Sequence, residues 1–152
     1  MGYYEKEQAL KLAKKYNTTN PFEIAERMNI HVFYKNLHPD IMGFYKYDKK
    51  NRYICINENL NKNDKTATCS HELGHCDMHE HVNTPFLRAN TFLTVDKLER
   101  QANLFAVELL MPDEAWFAYA KEFQTLDAIA NYTGIPKDLL VLKYQKTMRC
   151  CR

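Results

Sequence analysis

The stretch that decides the fold is His71-Glu72-Leu73-Gly74-His75, which lies within a segment of helical pattern. Its two histidines are four positions apart, so a helix places both imidazoles on one face, one turn from each other. Two imidazole nitrogens arranged in this way can bind one zinc ion at about 2.0–2.1 Å. Glu72 points to the flank of that face, where it can contact a water molecule without being a ligand. The spacing therefore predicts a zinc site on a helix.

The same spacing is the H-E-x-x-H pattern of zinc peptidases, which supplies two metal ligands and one general base. The alternative interpretation is a pair of solvated helix histidines beside an unrelated glutamate. Two features favour the metal: the segment is helical by its own periodicity, and Gly74 leaves space beside the second ligand for a neighbouring element. We therefore expect peptide-bond hydrolysis, with Glu72 taking a proton from water and zinc polarising the carbonyl group.

A catalytic zinc site requires a third protein ligand, and Glu99 on the next long helix is the best candidate. Asn103 lies one turn beyond it on the same face and could orient a ligand through a hydrogen bond. The rivals are Glu108, His79 and His81. Glu108 is two and a half turns beyond Glu99 and faces the opposite way. A further histidine on the same straight helix would be strained in reaching the metal.

The composition is that of one compact domain, with 152 residues, 45% hydrophobic side chains and a formal net charge of +2. This charge is too small to indicate nucleic-acid binding. The sequence has no apolar run of the length that spans a membrane. We expect a single metallopeptidase domain over residues 1–152, with a zinc-binding core at about 21–112 and a C-terminal helical hairpin at about 113–148.

The five cysteines are odd in number and lack the spacing of a disulfide framework: Cys55, Cys69, Cys76, Cys150 and Cys151. The N-terminus also lacks the basic-then-apolar order of a secretory signal. Together these features predict reduced thiols and a cytoplasmic protein. A thiolate ligand from Cys69 or Cys76 is an alternative to the ligands named above.

The remaining pattern predicts an α+β fold with a short antiparallel sheet. We expect a loop at residues 81–94, and strands at 30–34, 41–47 and 52–57, the last two forming a hairpin. If the strand Tyr53–Asn57 were a sheet edge, an extended substrate could pair with it; a plain core strand is the alternative. Helices are expected at 2–16, 21–28, 64–80, 96–110, 113–123, 125–132 and 136–147.

The C-terminal run from Leu126 to Leu140 has the spacing of a helix–turn–helix, which makes a DNA-binding module the rival function. An ordinary helical hairpin packed on the core is favoured over it. Pro136 begins the helix that would be the recognition helix. The positive charge of this helix comes only from Lys137, Lys143 and Lys146. DNA binding is therefore not expected. A protein-binding module with a non-catalytic zinc is a further alternative, although such sites usually have four protein ligands.

Two segments resemble the ImmA/IrrE-type metallopeptidases: Thr68 to His75, which includes the zinc motif, and Glu99 to Pro112, which has the pattern E-x-x-A-N-x-F-A-x-x-L-L-M-P. Gly43–Tyr45 and Ile54–Asn57 are similar to the hairpin of that family, and the resemblance covers about 21–145.

The resemblance implies a gluzincin-like fold with a zinc cofactor. It makes His71, His75 and Glu99 the zinc ligands and Glu72 the catalytic base. It also implies a protein substrate, since members of this family typically cleave transcriptional repressors of mobile elements or of stress regulons.

Overall fold

The computed structural model describes residues 3–87 and 96–150, which form a mixed helix and strand fold. The α+β class predicted from the sequence is confirmed. In chain order the elements are α1 (Tyr3–Tyr16), α2 (Pro21–Arg27), β1 (His31–Lys35), β2 (Ile41–Asp48), β3 (Asn51–Asn57), α3 (Lys62–Met78), β4 (Thr84–Leu87), α4 (Lys97–Leu110), α5 (Asp113–Glu122), α6 (Leu126–Thr133) and α7 (Lys137–Cys150).

The sheet has four strands in the order β1-β3-β2-β4 and is mixed. The predicted hairpin is present, with β2 antiparallel to β3 and Phe44 opposite Cys55. The expectation of a purely antiparallel sheet is wrong at one pair, because β1 runs parallel to β3. The chain reverses direction between β1 and β2 and again between β2 and β3, so β1 and β3 run the same way. Strand β3 lies between β1 and β2 in the sheet.

The predicted loop at residues 81–94 is also partly wrong, since β4 lies within it and pairs antiparallel with β2. Pro85 removes one hydrogen-bond donor from this strand, which suits its position at an edge of the sheet. Residues 88–94 of the expected loop lie outside the described part of the chain.

The strand Tyr53–Asn57 is not the sheet edge at which substrate pairing was considered. It is part of β3, which pairs with β1 on one side and β2 on the other. Both sides of its backbone are therefore occupied. Among the described strands, the edges are β1 and β4.

Polar side chains start the helices that position the site. The side chain of Asn20 accepts hydrogen bonds at the start of α2, where Pro21 takes the first turn as predicted. At α3 the cap is Asn61, which accepts from the backbone of Asp64, so the helix begins before the Asp64 cap expected from the sequence. Asp96 caps α4 by accepting from the backbone N–H of Glu99.

Two glycines allow the close packing of α3. A Cβ on Gly74 would lie 3.0 Å from Cδ1 of Phe105, so this residue lets α4 approach, as the sequence suggested. A Cβ on Gly43 would lie 2.5 Å from the carbonyl oxygen of Cys55 and 2.9 Å from Cγ2 of Thr68. Strand β2 and helix α4 are thereby held against α3 in the core.

The C-terminal helices pack against this core as a hairpin. Gly134 ends α6 in the left-handed conformation at φ 77°, which favours glycine. Leu139 and Leu140 on α7 are completely buried. Helix α7 contacts α4, where Lys143 donates a hydrogen bond to Glu108 at 2.8 Å. No helix in the described ranges combines the length and apolar character needed to cross a membrane.

Candidate metal centre

Three potential ligand side chains converge between α3 and the first turn of α4. His71 Nε2 and His75 Nε2 lie 3.2 Å apart. They are 3.0 Å and 2.9 Å, respectively, from the two carboxylate oxygens of Glu99. One ligand atom from each residue lies within 4.8 Å of the others, a spacing at which the group could hold one metal ion.

Helix packing explains why Glu99 reaches the histidines. The cap by Asp96 begins α4 so that Glu99 falls in its first turn. The contact between Gly74 and Phe105 brings α4 close to α3, and both histidines are on the α3 face that α4 covers. The ligand group is therefore fixed by two helices in the core and not by loops, which favours precise geometry.

Each histidine has a hydrogen-bond partner on its second ring nitrogen. His71 Nδ1 lies 2.6 Å from Asn103 Oδ1. The sequence suggested that Asn103 could orient a ligand but did not identify His71 as that ligand. His75 Nδ1 lies 3.0 Å from His79 Nδ1. These contacts direct both Nε2 atoms toward Glu99, and such partners are typical of metal-binding histidines.

The charge states of Glu99 and His75 suit a divalent cation. Burial alone would raise the pKa of the Glu99 carboxyl, but hydrogen bonds from His71 and His75 outweigh it and hold the pKa at about 2. Burial lowers the pKa of His75, and the hydrogen bond with Glu99 only partly opposes this effect. The site therefore combines a carboxylate anion with a neutral imidazole, the forms that bind metal.

Glu72 lies beside this group without a hydrogen-bond partner among the described residues. Its side chain is completely buried, and neither carboxylate oxygen is hydrogen-bonded. Burial, and then the charge of Glu99, raise its pKa well above the usual value. An unpartnered buried carboxyl costs free energy. A cation held by the three neighbouring side chains would offset that cost, so the residues present fit a metal ion.

Two of the rival ligands, Glu108 and His81, have other partners. Glu108 pairs with Lys143 and Lys146 at 2.8 and 2.7 Å, consistent with its position on the opposite face of α4 from Glu99. The ring of exposed His81 packs edge-on against Tyr47.

The described thiols lie outside the group of three potential ligands. Burial raises the pKa of Cys69 strongly and that of Cys76 to about 11, which disfavours the thiolate form. Cys55, Cys69 and Cys76 are all free and buried. Cys151 and the side chain of Cys150 lie outside the described part of the chain.

The contact between His79 and Gln101 was not predicted from the sequence, in which Gln101 had no assigned role. His79 was considered only as a rival ligand, yet its Nε2 lies 2.9 Å from Oε1 of Gln101. Two features of the sequence pointed to these residues. His79 is four positions after His75, and Gln101 lies between Glu99 and Asn103 on the next helix. The local pattern does not show that these two side chains meet, because they lie on different helices.

Comparisons with known proteins show the family of the chain. The sequence profile described as the IrrE N-terminal-like domain, a peptidase family, matches residues 25–144. The chain is 53% identical to "Uncharacterized immunity region protein 2" of Bacillus phage phi105, over 88% of this chain and 84% of that protein. It is 31% identical to "Metallopeptidase ImmA" of Bacillus subtilis strain 168, over 86% of this chain and 78% of that protein. The chain therefore belongs to the ImmA/IrrE family of metallopeptidases.

Proposed function

We propose that the chain is a zinc-dependent endopeptidase in which His71, His75 and Glu99 hold the metal and Glu72 is the general base. The observation that supports this most is the juxtaposition of three converging ligand atoms with a buried, unpartnered carboxyl group. A purely structural site has no need of that carboxyl group. The proposal includes a gluzincin-like arrangement within a single domain over residues 1–152, with a core at about 21–112 and a helical hairpin at about 113–148.

The side chains have separate roles in this proposal. When bound, zinc acts as a Lewis acid that polarises the peptide carbonyl and lowers the pKa of a water molecule toward about 7. Glu72, buried beside the metal position, takes a proton from the attacking water and passes it to the leaving amine. Asn103 holds the His71 ring with Nε2 directed at the metal position. Glu99 contributes negative charge and neutralises part of the cation.

We propose that the substrate is a protein, namely a transcriptional repressor of a mobile element or of a stress regulon. Support comes from the relatives, one described as a phage immunity-region protein and the other as a metallopeptidase. Such a repressor is bound to DNA inside the cell, so we place the enzyme in the cytoplasm. The free buried thiols of Cys55, Cys69 and Cys76 are consistent with a reducing compartment.

The contacts of α7 argue against the DNA-binding alternative. Lys143, one of three lysines that could contact phosphates, is only 1% exposed and pairs with Glu108. Lys146 pairs with Glu108 as well, and Lys137 pairs with Asp127 at 3.0 Å. These ion pairs neutralise much of the positive charge that a recognition helix would need.

A non-catalytic zinc in a protein-binding module is also less consistent with the site. Structural zinc sites usually have four protein ligands, often cysteines. The described residues bring three ligands together, and neither Cys69 nor Cys76 is among them. Three ligands leave one position for water or substrate, which is the arrangement of a catalytic site.

The proposal is tested by incubating the purified chain with the repressor encoded beside its gene and analysing the products by mass spectrometry. We expect one or a few discrete cleavages that stop when a chelator removes the metal and resume when zinc is restored. A matched sample with an unrelated DNA-binding protein controls for general proteolysis. Cleavage that continues in the chelator, after metal analysis shows that no metal remains, would contradict the proposal.

A further inference from the structure

A chain of two hydrogen bonds extends from His75 to the second turn of α4. His75 Nδ1 lies 3.0 Å from His79 Nδ1, and His79 Nε2 lies 2.9 Å from Gln101 Oε1. His79 is half-buried and ends α3, with φ −134° and ψ 46°. Its backbone N–H still donates to the carbonyl oxygen of His75, so both main chain and ring contact the same residue.

The neighbouring strand helps to hold this helix end. The hydroxyl of Tyr45 donates to the carbonyl oxygen of Glu80 at 2.8 Å, directly after His79. Tyr45 is almost completely buried in β2. Tyr45 of the sheet therefore holds the backbone next to His79, and Gln101 of α4 holds the His79 ring.

The proton positions along this chain follow from its last acceptor. The side-chain oxygen of Gln101 can only accept, so His79 carries its proton on Nε2 and leaves a lone pair on Nδ1. In the metal-loaded protein, where His75 no longer donates from Nε2 to Glu99, it donates from its own Nδ1, and the lone pair of its Nε2 is directed at the metal position between Glu99 and His71. A neutral imidazole has one N–H group, so this order of donors prepares His75 Nε2 to bind a metal.

We propose that His79 and Gln101 are positioning residues that fix the ring orientation and tautomer of His75. This inference rests on the proposed metal site. It gives His75 the support that Asn103 gives His71, in this case through two side chains in series. His79 does not act as a fourth ligand. It contacts Nδ1 of His75, whereas the atom of His75 that faces the other two ligands is Nε2, on the opposite side of the ring.

The test measures zinc affinity by competition with a chromophoric chelator, in wild type and in four variants. His79→Ala removes the first partner and Gln101→Leu removes the final acceptor. Gln101→Glu keeps an acceptor oxygen in the same place but makes it part of a carboxylate group. His81→Ala is the matched histidine control, because His81 is exposed and contacts Tyr47 instead. Thermal unfolding of the metal-free proteins shows whether each variant folds.

We expect His79→Ala and Gln101→Leu each to weaken zinc binding by about 10–100-fold, the usual cost of losing a hydrogen-bond partner of a ligand. Gln101→Glu should bind within about 3-fold of wild type, since a carboxylate accepts the same hydrogen bond. His81→Ala should be unchanged. In zinc-loaded protein with labelled histidines, nitrogen NMR should show His79 protonated on Nε2 in wild type and in Gln101→Glu. This single tautomer should be lost in Gln101→Leu.

Wild-type zinc affinity in folded Gln101→Leu would overturn the inference while leaving the metal site intact. A His79 ring protonated on Nδ1 in the zinc-loaded wild type would do the same. If His79→Ala does not fold, the two Gln101 variants decide the question. Failure of the wild-type chain to bind zinc at all would instead overturn the proposed function together with this inference.

Discussion

At the scale of single residues, Glu72 is the side chain on which the proposed hydrolysis depends most directly. Both of its carboxylate oxygens are buried and lack hydrogen-bond partners within the described chain. We predict that Glu72→Gln keeps the fold and the metal but lowers peptidase activity by at least about 100-fold, because an amide cannot take a proton from water. Turnover of the cleavable repressor, measured together with metal content, checks this prediction. Turnover equal to wild type would remove Glu72 from the mechanism, whereas loss of metal would make it a ligand.

Two glutamates on α4 should respond in opposite ways to the same substitution. Glu99→Ala removes a proposed ligand and should weaken zinc binding by more than the roughly 10–100-fold expected for Asn103→Ala. Glu108→Ala should leave zinc affinity nearly unchanged. It should lower the free energy of unfolding by about 1–3 kcal/mol, because buried Lys143 loses Glu108 and keeps its contact with Asp113.

Zinc titration and denaturant unfolding of all three variants separate these effects. The reverse order of zinc affinities for the Glu99 and Glu108 variants would contradict both the ligand assignment and the family correspondence on α4.

Sequence spacing could predict the parts of the site that depend on helical periodicity. His71 and His75 share a face because they are four apart, and Glu99 and Asn103 share one for the same reason. The roles of these residues in metal binding and catalysis stay predictions. Spacing could not show that His79 meets Gln101, because that contact depends on where one helix ends and how closely another approaches.

At the scale of elements, the closeness of α3 and α4 depends on Gly74. Replacing a helical glycine with alanine ordinarily gains about 1 kcal/mol. Here the new Cβ would lie 3.0 Å from Phe105, and overpacking of this kind costs about 1–3 kcal/mol. We predict that Gly74→Ala is net destabilising and weakens zinc binding, because α4 moves away from the histidines.

Unfolding and zinc titration of Gly74→Ala, Phe105→Ala and the double variant check this prediction. The double variant should be less destabilised than the sum of the two single changes, since the clash disappears. Increased stability of Gly74→Ala with unchanged zinc affinity would contradict the proposed role of this contact.

Strand pairing was harder to predict than the helices. The hairpin of β2 and β3 is local, and its pattern gave the correct pair. The parallel pairing of β1 with β3 and the edge strand β4 both join segments distant in sequence, so alternation along the chain did not reveal them. The short β4, with Pro85 inside it, also lacks the run of β-favouring residues that marks a strand.

For the whole molecule, buried and partly buried ion pairs link α7 to α4 and α5, and α5 to α1. Lys143 contacts both Glu108 of α4 and Asp113 of α5, and Lys6 of α1 also pairs with Asp113. We predict no sequence-specific DNA binding, because these contacts hold the would-be recognition helix against the core.

Binding to duplex DNA across a range of salt concentrations checks this prediction. Any binding should be weak, independent of sequence and lost steeply as salt rises. Sequence-selective binding at physiological salt, weakened by Lys137→Gln or Lys143→Gln, would favour the helix–turn–helix alternative.

The central claim is that His71, His75 and Glu99 form one zinc site. Metal analysis of protein purified without added metal tests it most directly. We predict close to one zinc per chain in the wild type and in Glu108→Ala, and almost none in the folded His71→Ala, His75→Ala double variant. An unchanged metal content in that double variant, or no metal in a folded wild-type chain supplied with zinc, would contradict the account.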